Sequence, residues 1–247
     1  MRTGAQKTGC YAESFRPGAA GSGISLKPGW AALALLIHLL PADVTVQAED
    51  ASSLPTLTPE ARTRIEQGLS EFRDNKFEEA EKTFREVANM APNHPVGWIN
   101  LGSVEYRLGK LDEAEKSLRK AVRLDPEVAQ TWLTLGIVSY KKDESEAALA
   151  ALSQAVYLDS KNARAHMYLG VLLRKRGWLD GAEDELRKAV ELDPTYAEAQ
   201  FNLAIIYTER APPAFELARR HYYRALDLGA AADPELEKLL KRTPETK

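Results

Sequence analysis

Cysteine is nearly absent: Cys10 is the only one in 247 residues, which excludes a disulfide framework and a cysteine-built zinc site. Histidine is scarce as well. His38, His94, His166 and His221 have no second ligand-type residue at metal spacing, so neither a metal nor another cofactor is expected. The chain also lacks a phosphate-cradling glycine loop, a nucleophile elbow and an HExxH pair, and an enzyme is not expected. Neither charge dominates, with 33 Lys and Arg against 36 Asp and Glu. One local basic group, Arg219, Arg220, His221 and Arg224 beside Tyr222 and Tyr223, reads as a solvated helix face, so nucleic acid is not expected as a partner. The apolar run from Trp30 to Leu40 is eleven residues long and contains His38, well short of the ~20 that a membrane-spanning helix needs.

What is present is a repeat. Gly68, Gly102, Gly136, Gly170 and Ala204 stand 34 residues apart without slippage. Leu101, Leu135, Leu169 and Leu203 precede the small residue, and Trp98 and Trp132 stand four before it. Further on, in register, come Ala80, Ala114, Ala148 and Ala182, then Phe84, Leu118, Leu152 and Leu186, then Val87, Ala121, Ala155 and Ala189. Pro92, Pro126 and Pro194 close three of the units.

Each unit reads as two helices. From Pro95 to Leu108, Trp98, Leu101, Gly102 and Leu108 recur at helical spacing, and Gly109 ends the segment as a C-terminal glycine does. Asp112, Glu113 and Glu115 then open a second segment, Lys116, Arg119, Lys120 and Arg123 follow, and Asp125 and Pro126 stop it, matching the polarity of the helix dipole. Repeated acids such as Glu78 and Glu79 are explained by the same dipole. Two helices joined by a short turn approach closely where side chains are small, so Gly102 is expected to face Ala114. One hairpin cannot bury its own apolar face, whereas a stack of them can.

The 34-residue period with Trp, Leu-Gly, Ala, a large apolar residue, Ala and Pro in order resembles the tetratricopeptide repeat family, over residues 61–230. The resemblance implies an all-α, right-handed α-solenoid of five helix-turn-helix repeats, noncatalytic, that binds a protein or peptide partner. The fifth unit deviates. Ala218, Tyr222 and Ala225 arrive two residues late behind Pro212 and Pro213, with helix B expected to start at the prolines. Residues 231–242 are expected to supply a short capping helix, from Pro234 onward, and 243–247 a frayed tail.

Residues 1–48 stand outside the array. Arg2, Lys7, Arg16 and Lys27 precede the apolar run, and Val46, Gln47 and Ala48 follow it, the pattern of a secretory signal peptide cleaved after Ala48. Export, to a bacterial periplasm, is the expectation; the alternative is a membrane anchor through residues 30–40, the one route by which a membrane would become a partner. Residues 49–60, rich in Ser, Thr, Pro and acids, read as a flexible linker. Cleavage would remove Cys10 and take the formal charge from −3 to −5.

In the resembled family the first helix of each unit lines the concave side, where extended peptides or partner helices are held. Stepping by the period gives the rows on that helix: Ile65, Ile99, Leu133, Met167 and Phe201; Leu69, Ser103, Ile137, Val171 and Ile205; Phe72, Tyr106, Tyr140, Arg174 and Thr208; and Arg73, Arg107, Lys141, Lys175 and Glu209. A further row holds Glu66, Asn100, Thr134, Tyr168 and Asn202. The candidate groove is drawn from these: an apolar strip of Ile65, Leu69, Ile99, Leu133, Ile137, Met167, Val171, Phe201 and Ile205, with Phe72, Tyr106 and Tyr140, the polar Asn100, Ser103 and Asn202, and the basic Arg107, Lys141 and Arg174. The basic row also suits helix C-termini. The family's carboxylate clamp would require Lys and Asn where Ile65 and Leu69 stand, and Lys and Arg at Gln130 and Thr134; Asn100 alone fits. An apolar or amphipathic peptide or helix is therefore the expected ligand. An open apolar strip also admits a second copy of the chain, hence a homo-oligomer, and the chain could equally present substrates within an envelope assembly or secretion complex.

Overall fold

The computed structural model describes residues 56–242, all within one unit spanning Pro41–Lys247. The leader, its cleavage point, most of the linker and the tail lie outside the described residues. The elements are α1 (Pro59–Arg73), α2 (Phe77–Met90), α3 (Pro95–Arg107), α4 (Leu111–Leu124), α5 (Ala129–Lys141), α6 (Ser145–Leu158), α7 (Ala163–Lys175), α8 (Leu179–Leu192), α9 (Ala197–Glu209), α10 (Phe215–Asp227) and α11 (Pro234–Arg242). The odd-numbered helices α1–α9 are the first, or A, helices of five hairpins and the even-numbered ones the B helices. Helix α1 starts inside the expected linker, where Thr58 Oγ1 accepts from the Ala61 amide at 3.2 Å and Pro59 occupies the first turn.

The turn within each of the first four hairpins has one conformational requirement, and it recurs with the period. Asn75, Gly109, Asp143 and Gly177 all have positive φ, between 59° and 78°. Glycine takes that region without penalty, and Asn and Asp tolerate it best among the others.

Inside the hairpin the small row meets the large row rather than the alanine row alone. A Cβ on Gly102 would stand 2.7 Å from Leu118 Cγ and 3.2 Å from the Ala114 carbonyl; on Gly136 it would stand 2.7 Å from Leu152 Cγ, and on Gly170 2.7 Å from Leu186 Cγ. The expected Gly102–Ala114 approach is thus to the backbone of Ala114, with the Leu118 side chain filling the space. Hydrogen at the glycine is what lets the leucine seat.

Each B helix packs on its own A helix and on the next one, and α3 touches α5, α5 touches α7 and α7 touches α9, while B helices make no comparable contact with one another. The A helices therefore form the closely spaced side of the stack. Except for the terminal α1 they are buried almost all round, and Val104, Val138, Leu172 and Ile206, again one period apart, are completely so. The B helices are amphipathic: α4 buries Ala114, Leu118 and Ala121 together with Glu115 and Ser117, and turns most of its other charges outward.

Ion pairs follow the same period. Lys142 Nζ reaches Asp112 at 2.8 Å, Arg176 Nη1 reaches Glu146 at 2.7 Å and Arg210 Nη2 reaches Asp180 at 2.5 Å. Each ties the turn of one hairpin to the first turn of the preceding B helix. Acids at B-helix starts thus have a second role beside the dipole, although such exposed pairs contribute little individually.

The fifth hairpin departs from the expected start of its B helix. Pro212 and Pro213 lie in the turn and α10 begins at Phe215. Helix α11 then caps the stack, with Leu236 and Leu240 fully buried. The Tyr222 hydroxyl accepts from the Asp233 amide at 3.0 Å and donates to the Asp233 carbonyl at 3.2 Å, fixing the approach to that cap.

Candidate partner-binding face

The aromatic and basic rows on the A helices are coupled. Arg107 lies over the Phe72 ring at 5.7 Å, Lys141 over Tyr106 at 5.9 Å and Lys175 over Tyr140 at 5.3 Å, each cation one hairpin beyond its ring. At the next step the ring is replaced: Arg174 pairs with Glu209 at 2.9 Å. This ladder explains the basic row better than the helix dipole alone, since attraction to a ring face favours a cation over a neutral residue at each step. Arg107 also lies 5.0 Å from Phe77.

The apolar rows are more deeply placed than an open strip requires. Leu133 and Ile137 are only 1% exposed, and Ile65, Met167 and Ile205 are buried too. Their burial corrects the expectation of a continuous oily channel, because adjacent A helices pack closely enough to cover them. Asn100, Ser103 and Asn202 are likewise buried and turned inward: Asn100 Nδ2 donates to the Val96 carbonyl at 2.9 Å, Ser103 Oγ to that of Ile99 at 2.8 Å and Asn202 Nδ2 to that of Glu198 at 2.7 Å. These donors are satisfied by their own helices, while the buried Asn202 Oδ1 has no partner among the described residues. Leu69, Phe72, Ile99, Arg107, Tyr140, Val171, Arg174 and Phe201 remain half-buried and Lys141 exposed, while Tyr106 is buried with an edge at the face.

Sequence reasoning missed the densest part of this face. Arg164, in the first turn of α7, lies 5.6 Å from the ring centre of Tyr168. Its charge also acts on Tyr106 and Tyr196, and Tyr140 lies within electrostatic reach of Tyr168. Burial is the leading cause that pushes the phenols of Tyr106, Tyr168 and Tyr196 upward, Tyr106 to about 12, against the opposing pull of Arg164. They are therefore neutral hydrogen-bond donors at physiological pH. Arg164, Tyr168 and Tyr196 fall in rows different from that of Tyr106 and Tyr140, so stepping by the period never placed them together.

Trp98 and Trp132 use their indole N–H groups on the carbonyls six residues earlier, Pro92 at 3.1 Å and Pro126 at 2.7 Å. His166 repeats that bond to Ser160 at 3.1 Å and adds Glu185 at 2.6 Å. The expected packing role of His166 fits its burial. The one cavity to note on the other side of the stack, about 290 Å³, is a shallow cleft between α4, α5 and α6 lined by Arg119, Arg123, Trp132 and Ala147. No helix among the described residues is long and apolar enough to cross a membrane.

Paired helices, a glycine-and-leucine seam and a closely spaced row of A helices define a helical-repeat protein. Residues 50–238 match the family described as the Cilia and flagella-associated protein 70 C-terminal domain, a tetratricopeptide-repeat family, and the chain belongs to it. Solved structures agree in fold. MamA from Desulfovibrio magneticus RS-1 is 23% identical over 70% of this chain and 97% of that one, with a TM-score of 0.62. YrrB, described as a TPR protein with an unusual peptide-binding site, is 24% identical over 74% and 92%, with a TM-score of 0.60. PilF of Pseudomonas aeruginosa is 20% identical over 74% and 85%, with a TM-score of 0.65. A comparison with curated proteins gives no match.

Proposed function

We propose that this chain is a noncatalytic scaffold that holds an amphipathic segment of a partner polypeptide on its A-helix face. The supporting observation is the ladder of rings and cations, Phe72 with Arg107, Tyr106 with Lys141 and Tyr140 with Lys175, on the closely spaced side of the stack. Such a face offers half-buried apolar edges beside cations, which suits an amphipathic ligand. The peptide-binding site ascribed to YrrB lends support by analogy of fold. Export belongs to the same proposal and rests on the leader pattern ending at Ala48.

A photo-crosslinking residue placed at Tyr140 tests the face, with the exposed Tyr157 of α6 as control. Partner crosslinks at 140 and not at 157 are expected. Crosslinks confined to 157 would move binding to the outer helices, and crosslinks joining two copies would assign the face to self-association. Amino-terminal sequencing of the secreted chain is expected to begin at Glu49, whereas intact Met1 in the membrane fraction would reject cleavage.

A further inference from the structure

The half-buried cations on this face are not treated alike. Arg174 has Glu209 and Arg176 has Glu146, in a chain where acids outnumber bases. Arg107 and Arg164 have no carboxylate within ion-pair distance among the described residues; Arg107 lies against the Phe72 and Phe77 rings, which cannot donate a hydrogen bond, whereas Arg164 lies against Tyr168, whose hydroxyl it engages. Tyr168, over whose ring Arg164 lies, is 5% exposed, and Tyr106, on which its charge acts, is 8% exposed. The hydroxyls of Tyr106 and Tyr196 have no hydrogen-bond partner among the described residues. A guanidinium partly withdrawn from water, next to phenol donors and without an anion, is a site short of one negative charge. Glu198, whose charge reaches Tyr168 and Tyr196, stands outside ion-pair distance of Arg164.

We infer that Arg164, with Tyr106, Tyr168 and Tyr196, forms a subsite for one Asp or Glu side chain of the partner segment, the guanidinium fork taking the carboxylate and the phenols donating to it. This rests on the A-helix face being the binding face. A cation set among phenols rather than phenyl rings matches a carboxylate, and half-buried Val171 and Phe201 on the same row of helices suit the apolar residues flanking that acid. Arg164 and Tyr168 stand one period after Gln130 and Thr134, so the subsite lies one hairpin beyond the positions of the family's carboxylate clamp, here held by Ile65, Leu69, Asn100, Gln130 and Thr134, and it takes a side-chain carboxylate through phenols that the clamp does not use.

Short random peptides displayed as internal fusions, so that no free C-terminus is offered, can be selected on the full chain. The selected sequences are then made with amidated ends and titrated by fluorescence anisotropy. An acid enriched at one position is expected, and changing it to its amide should weaken binding about tenfold or more. Arg164→Gln should weaken the acidic peptide by a similar factor and abolish the difference between acid and amide, with Arg164→Lys intermediate because it keeps charge and loses the fork. Melting curves of both variants establish that they fold. If selected peptides show no acid preference and bind Arg164→Gln unchanged but lose Phe201→Glu, the face stands and the carboxylate subsite falls. If Phe201→Glu and Arg164→Gln both leave binding unchanged, or nothing is selected, the face itself is wrong and the subsite falls with it.

Discussion

The first four hairpins and the fifth carry one architecture through different turns. Asn75, Gly109, Asp143 and Gly177 supply the left-handed residue that a short turn demands; the fifth hairpin has Ala211 at that place. Alanine enters the left-handed region only at a cost of about 1–2 kcal/mol. The fifth turn is instead longer, running through Pro212 and Pro213 and closed by the Ala214 amide on the Tyr207 carbonyl at 2.8 Å. Its B helix arrives two residues late, and the large buried residue becomes Tyr222, whose hydroxyl then serves the cap. One residue unable to take positive φ thus coincides with the point where repetition gives way to termination. The ion-pair ladder continues regardless, through Arg210 and Asp180, which shows that the longer turn leaves the stacking of hairpins intact.

The sharpest way to break the comparison is to remove the hydrogen that a regular hairpin depends on. In Gly136→Val the new Cβ would stand 2.7 Å from Leu152 Cγ and 3.1 Å from the Leu152 amide nitrogen, so both side chain and backbone must shift. A loss of about 3 kcal/mol is expected in denaturant unfolding. Adding Leu152→Ala should recover part of it, since the seat is then vacant; no recovery would mean that the backbone contact, not the leucine, sets the spacing. The fifth hairpin already carries Ala204 at this position, buried completely, and should gain little from Ala204→Gly.

A smaller effect is expected at the turns. Gly177 has φ +78° with nothing within 4 Å of a Cβ there, so Gly177→Val tests conformation without a clash. It should cost about 1–2 kcal/mol, while Ala211→Gly in the longer turn should lie within about 0.5 kcal/mol of wild type, like other surface changes. Equal costs at 177 and 211 would remove turn conformation as the reason the two regions differ.

How much of this was legible in the sequence depends on the range of each interaction. The hairpins, their order and the capping helix were readable because helix periodicity and the 34-residue step are local and repeated. The turn row was half hidden, as Asn75 and Asp143 do the work of glycine without looking like it. Prolines 212 and 213 were placed inside a helix they precede, because tolerance of proline in a first turn does not fix where that turn begins. The groove fared less well. Stepping by the period finds which residues share a row, and it found the rings and cations that pair across hairpins. It cannot tell how far neighbouring A helices close over a row, which is why Leu133 and Ile137 were expected at the surface. Nor can it bring together Arg164, Tyr106 and Tyr196, which belong to the fourth, second and fifth hairpins and whose mutual reach depends on how those hairpins stack.

The mildest test concerns the row four residues before the small one, where the regular hairpins themselves diverge. Trp98 and Trp132 donate one hydrogen bond each and do not titrate. The His166 ring faces two acceptors, the Glu185 carboxylate and the Ser160 carbonyl, and only the imidazolium can donate to both. The bond to Glu185 is accordingly the largest cause holding its pKa above the usual histidine value, against burial. Because the folded pKa is raised, this stabilisation is complete below the unfolded value of about 6.5 and fades as pH rises through the folded one. Burial lowers the pKa of His94 and His221, which act in the opposite sense, losing stability as pH falls. The difference between wild type and His166→Gln isolates the one group. Wild type should exceed the variant in melting temperature by about 2–4 °C at mildly acidic pH, with the gap narrowing above neutrality. A gap that stays constant with pH would show that His166 holds its hairpin as the tryptophans do, by packing and a hydrogen bond that does not titrate.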